Sequence, residues 1–117
     1  MQPLAIADWD DIADRTPVGA LVSNVDLVIV RYDDDHSVLH GRCQHRGALL
    51  ADGSINGDDL LCGVHGWDYG FRTGISSYNN DERLQKFTSW IEGGKLTVDL
   101  DEVLAYEHEH PQPWNRD

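Results

Sequence analysis

The chain is poor in cysteine: two residues in 117, so no more than one internal disulfide could form. The dense cross-linking that sustains many small exported domains is excluded. Bases are scarce too, nine Lys and Arg against twenty-one Asp and Glu, for a net charge of −12. That balance repels nucleic-acid phosphates and fits a partner with a basic docking face, or equally simple solubility or adaptation to salt. No apolar stretch approaches the roughly 20 residues that cross a bilayer. Met1 to Asp10 carry neither a basic start nor an apolar run, so no signal peptide or membrane anchor is expected. This points to the cytoplasm, where thiols stay reduced and a cysteine pair more often binds metal than forms a disulfide. No repeat or low-complexity tract is present, and 117 residues suit one domain, not two.

What little cysteine there is stands in a pattern. Cys43-Gln44-His45 is followed, sixteen residues on, by Cys62-Gly63-Val64-His65. With six histidines in the chain, both offsets would be filled by chance roughly one time in four hundred. Two thiolates and two imidazoles in paired loops are the donors of a 2Fe-2S centre in which sulfur holds one iron and nitrogen the other. Neutral imidazoles in place of two thiolates make the cluster easier to reduce than an all-cysteine one. Gly47, Gly63 and Gly66 flank the donors and supply the backbone freedom that lets loops close over a cluster.

The segments Cys43-Gln44-His45-Arg46-Gly47-Ala48-Leu49-Leu50 and Cys62-Gly63-Val64-His65-Gly66-Trp67-Asp68-Tyr69, ending in Arg72-Thr73-Gly74, resemble the cluster-binding loops of the Rieske family. They are most similar to its ferredoxin and ring-hydroxylating oxygenase branch. The resemblance implies a Rieske-type 2Fe-2S cluster, with Cys43 and Cys62 on the buried ferric iron and His45 and His65 on an outer iron at the protein tip. It also implies single-electron transfer between a reductase and a terminal oxygenase or flavoenzyme, docked through that tip, in a protein that is not catalytic by itself. Gln44 and Gly63 stand where the family often has proline. Trp67 stands where respiratory and photosynthetic members carry a serine, and their extra cysteine pair is missing. Without the serine donor the potential is expected in the lower part of the Rieske range, roughly −150 to +300 mV, with Tyr69 as a remaining hydroxyl donor. Trp67 and Leu49 are candidates for shielding the cluster from water.

Other readings of the four donors stay open. A structural zinc module uses the same donor types, although a one-residue gap strains a shared tetrahedral centre. A Cys43–Cys62 disulfide would leave both histidines without a purpose. Modules similar to this one also occur at the N-terminus of larger, glutamate synthase-like flavoenzymes, where such a domain is an internal relay.

The expected fold is all-β: a Rieske fold with an antiparallel base and a small inserted cluster-binding subdomain at about 41–70. Strands are expected over 18–22 and 25–32, joined at Ser23-Asn24, then 37–40 after the Asp33–Asp35 turn. A hairpin turning at Asn56-Gly57 accounts for the gap between the ligand loops. Further strands are expected over 67–71, 87–92 and 95–99, with a short helical turn over 8–13 and a helix over 102–106 capped by Asp101. Residues 76–83 are expected to form a loop near the cluster end. The domain is expected to span 1–110, with the proline-containing 111–117 as a tail or linker. His108-Glu109-His110 has the composition of an iron site, but alternate residues point apart on a helix or strand. His36 falls in an acidic turn, and His40 is expected at a strand end on the surface. Arg46 is expected as an exposed cation beside the tip.

Overall fold

The computed structural model describes residues 1–43, 47–62, 68–76 and 83–113. Its framework is a run of antiparallel strands: β1 (Pro3–Asp8), β2 (Val18–Val22), β3 (Val25–Tyr32), β4 (Asp35–His40), β5 (Ser54–Asn56), β6 (Asp59–Leu61), β7 (Asp68–Gly70), β8 (Lys86–Phe87), β9 (Ser89–Glu92) and β10 (Lys95–Asp99). Helix α1 (Leu100–Glu109) follows, and short 3-10 turns occupy Trp9–Asp11 and Leu50–Asp52. The strands form three sheets ordered β1-β10-β9, β2-β3-β4-β8 and β5-β6-β7. The all-β expectation holds, with β5-β6-β7 as the small inserted sheet. Among the described residues no helix is long and apolar enough to cross a membrane.

Strand β3 explains its own composition. It is buried on both faces, and successive side chains point opposite ways, so alternate residues feed different cores. Val28, Val30 and Tyr32 join Leu39, Leu50, Leu60, Phe71, Leu84 and both cysteines. Val25, Leu27 and Ile29 join Val38, Phe87, Leu96, Val98 and Val103. Strand β3 is thus a wall shared by a redox-side core and a base core.

The outcomes differ from expectation in places. The β5–β6 loop is Gly57-Asp58 rather than Asn56-Gly57, because Asn56 pairs with Asp59 and Gly57 adopts the positive φ of 63° that a two-residue hairpin needs. The strand expected over 87–92 is two strands: Phe87 pairs with Val38 in one sheet and Ser89 with Val98 in another. Thr88 makes the corner, its N–H and hydroxyl both donating to the Glu102 carboxylate at 2.6 and 2.9 Å. Helix α1 starts two residues before the expected span, capped by Asp99, whose carboxylate accepts from the Asp101 N–H at 3.0 Å. Strand β1 was not expected at all.

The C-terminal segment is tied down through Gln112. Its Oε1 lies 3.0 Å from His40 Nε2, and its carbonyl accepts from Asn24 Nδ2 at 3.4 Å. Residues 114–117 lie outside the described residues, as does most of the loop expected over 76–83.

Candidate metal centre

Cys43 and Cys62 come from different loops and meet in one apolar cluster. Each is only 2% exposed, and neither is in a disulfide. Cys62 is delivered by the end of β6, whose approach to the preceding 3-10 turn depends on Gly53: a Cβ there would lie 2.0 Å from the Leu61 carbonyl oxygen. Cys43 follows β4 and is held by its backbone. Its N–H donates to the Ala48 carbonyl at 2.9 Å, and its own carbonyl accepts from the Gly47 N–H at 2.7 Å. Gly47 has φ 73°, a left-handed conformation in which glycine is unstrained. The first loop is therefore closed at its base by sequence-local bonds.

A clamp that was not apparent from sequence adds to this. Arg42, directly before Cys43, donates from Nε to Asp26 Oδ2 at 2.7 Å and from an Nη to the Gly47 carbonyl at 2.9 Å. The Asp26 and Arg42 side chains are only 11% and 17% exposed. One guanidinium thus ties the first ligand loop to β3. The available signal was Asp26 itself, an acid directly before the apolar run over 27–30.

The Tyr69 hydroxyl lies 3.6 Å from Cys43 Sγ, and the side chain is fully buried. Toward a thiolate the hydroxyl is the donor, as the sequence suggested. Such a bond strengthens as negative charge builds on sulfur, so it favours the reduced state of a thiolate-bound cluster. Tyr69→Phe is expected to lower the midpoint potential by about 40 mV, which is about 1 kcal/mol for a one-electron couple. Spectroelectrochemical titration of the two proteins checks it, and an unchanged or higher potential would show that the hydroxyl does not donate to the sulfur.

His40 is not the surface residue expected. It is 7% exposed, its ring 5.2 Å from that of Tyr106, and its Nδ1 is buried with no hydrogen-bond partner among the described residues. Burial holds the imidazole below the usual histidine range, outweighing the Gln112 hydrogen bond that works the other way. The parity of β4 accounts for this, since His40 shares a face with Val38 and so turns toward the base core and α1. His36 places Nδ1 2.8 Å from Ser89 Oγ and packs edge-on to Trp9. His108, Glu109 and His110 are exposed at the end of α1, where His110 stacks on Tyr106 with 4.5 Å between centroids. Leu49, a proposed shield, is 36% exposed. His45, Arg46, His65 and Trp67 lie outside the described residues, as do Gly63 and Gly66.

Two buried cysteines kept out of a disulfide thus share an apolar setting on an antiparallel β scaffold, with a hydroxyl beside one sulfur. This chemistry suits a cluster, whose sulfur ligands require exclusion of water and nearby hydrogen-bond donors. Comparison with known proteins narrows the class. The sequence profile of the Rieske [2Fe-2S] domain matches residues 2–88, and the chain belongs to that family. Its cofactor is accordingly a Rieske-type 2Fe-2S cluster.

Among solved structures, the ferredoxin of carbazole 1,9a-dioxygenase from Nocardioides aromaticivorans IC177 superposes with a TM-score of 0.77 at 20% identity, over 84% of this chain and 97% of that one. The ferredoxin component of the alkene monooxygenase system of Xanthobacter autotrophicus is 25% identical over 91 residues, 77% of this chain and 71% of the relative. Methylxanthine N1-demethylase NdmA of Pseudomonas putida is 36% identical over 53 residues, 45% of this chain. The chain spans only 15% of the length of NdmA, and 12% and 16% of two further curated relatives.

Proposed function

We propose that Cys43 and Cys62 hold one iron of the cluster and His45 and His65 the other, and that the protein is a one-electron carrier between a reductase and a terminal oxygenase or other oxidoreductase. When bound, the cluster supplies reversible uptake of a single electron. The chain's residues do the rest. The redox-side core keeps water from the cysteines, Tyr69 biases the potential, and the Arg42–Asp26 clamp fixes the first loop. In this reading the chain passes electrons and the partner carries out the chemistry on the final substrate. The observation that carries the reading is the pair of buried, disulfide-free cysteines in a Rieske domain that covers most of a small chain. The names of two relatives, each the ferredoxin of an oxygenase system, support the partner class.

Docking is proposed through the His45 and His65 end, onto a basic face. The acidic side chains Asp58, Asp59 and Asp68 lie on and beside the small sheet that delivers Cys62. Partial burial, then Asp68 and Asp58, hold the Asp59 carboxyl above its usual range, as expected where carboxylates crowd together. Reduction by a cognate reductase should therefore slow as salt rises. The second-order rate is expected to fall on the order of tenfold between about 0.01 M and 1 M salt, as the Debye length shrinks from about 30 Å to about 3 Å. The loss should lie in association, because exposed charges guide encounter more than they hold a complex.

A second reading has its own observation: the chain spans a small share of several longer relatives, so a sequence of this kind is also used as a module. In a fused relay the tether replaces steering, and a salt-independent rate would favour it. In either form the cytoplasm is the proposed compartment, since cysteines that ligate iron must remain reduced.

A further inference from the structure

A cavity of about 270 Å³ lies between the segment leading into β8 at Lys86 and the helix face that carries Tyr106 and His110, with Leu84 and Thr73 also lining it. It is separate from the redox site in its donors, and among its described lining residues there is no carboxylate. In a chain of net charge −12 that is unusual. Arg15, Arg42, Arg72 and Lys95 each have a carboxylate within ion-pair distance. Lys86 has none among the described residues; its ammonium donates to the Arg72 carbonyl at 2.7 Å, which leaves two of its three N–H groups for another acceptor. The second cation of the lining is Arg83.

Two hydroxyls complete the donor set. Tyr106 is half-buried and its hydroxyl has no hydrogen-bond partner among the described residues; burial holds that phenol above its usual range, so it stays protonated and able to donate. Thr73 Oγ1 accepts from the Ile75 N–H at 3.3 Å and keeps its own proton to give. Gln85, whose amide donates to the Lys86 carbonyl at 3.2 Å, also lines the cavity, and apolar surface comes from Leu84 and from the Tyr106 and His110 rings, which stack on each other. Lys86 and the Tyr106 hydroxyl on one side and the apolar surface of Leu84 and the Tyr106 ring on the other match a ligand with an anionic head and an apolar body.

We propose that this cavity binds a small carboxylate carried on an apolar or aromatic body, with Lys86 and the Tyr106 hydroxyl receiving the carboxylate. The volume holds a molecule of roughly ten heavy atoms, large enough for a ring and a carboxyl group. Leu84 packs in the same apolar cluster as Cys43 and Cys62, so the site shares a wall with the redox core.

The probe is sodium benzoate, titrated into the cluster-loaded protein and followed by ligand-observed saturation-transfer NMR. Saturable binding near ~1 mM is expected, as befits a ligand of so few atoms. Benzamide, which keeps the ring but not the charge, and inorganic phosphate, which keeps charge but not the body, are each expected to bind at least about tenfold more weakly. Lys86→Gln is expected to weaken benzoate about tenfold and Lys86→Arg to restore it. Lys86 is exposed, so neither change threatens the fold. Non-saturating benzoate signals, equal binding to the Lys86→Gln protein, or phosphate or benzamide binding as tightly as benzoate would each overturn the proposal.

Discussion

Replacing His45 or His65 with alanine is expected to yield a colourless protein, while His108→Ala should remain red-brown. Each substitution removes one of the four donors proposed to hold the cluster and opens a coordination position to water. Changes that merely disturb the groups around a metal ligand cost roughly 10- to 100-fold in affinity, and loss of the ligand itself costs more. Binding of a metal group to the folded state adds to folding stability, so cluster loss should also reduce stability. His108 is exposed on α1, outside both loops, and serves as the matched control. Visible absorbance and iron per chain, measured on the three variants purified side by side, decide the matter. A normal spectrum from either ligand variant would mean that the imidazole assignment is wrong.

Asp26→Ala is expected to be strongly destabilising although it touches no ligand. It strands the Arg42 guanidinium, only 17% exposed, without its 2.7 Å partner. Removing one member of a largely buried ion pair costs more than the pair contributes, because the remaining charge is left uncompensated. A loss of about 3 kcal/mol follows, or about a 10 °C drop in the unfolding midpoint for a domain of this size. The first ligand loop should loosen with it, since the same guanidinium holds the Gly47 carbonyl, and the cluster should bleach faster on standing. The double variant Asp26→Leu/Arg42→Met, which removes both charges together, should recover most of the midpoint. Thermal unfolding of the single and double variants provides the test. An Asp26→Ala protein as stable as the parent would mean that the backbone bonds of Cys43, Gly47 and Ala48 hold the loop unaided.

The parts of the fold that were legible are those whose partners are near in sequence. The β2-β3-β4 meander and the β5–β6 hairpin announce themselves through apolar strands broken by short polar turns, and each pairs with its immediate neighbour. Strand β1 gave no such cue. Its partner β10 lies some ninety residues away, pairing Pro3 with Asp99, and its short segment carries only half-buried residues between exposed ones. The corner at Thr88 was hidden for a different reason: Phe87 and Ser89 belong to different sheets, and only the tertiary bond to Glu102 marks the change. Burial of His40 follows from α1 and Gln112 closing over the end of β4, which no local pattern encodes. For the site, the cysteines and Tyr69 were readable from spacing and resemblance. The Arg42–Asp26 clamp joins positions sixteen residues apart and required the register of β3.

The central claim is that this chain binds a Rieske-type 2Fe-2S cluster through Cys43, His45, Cys62 and His65. The most direct measurement is the metal and acid-labile sulfide content of protein produced with ample iron, purified without oxygen and quantified per chain. The account predicts iron and labile sulfide in equal amounts, about two of each per chain, in a red-brown protein. One zinc per chain and no labile sulfide, in a colourless protein, would contradict it.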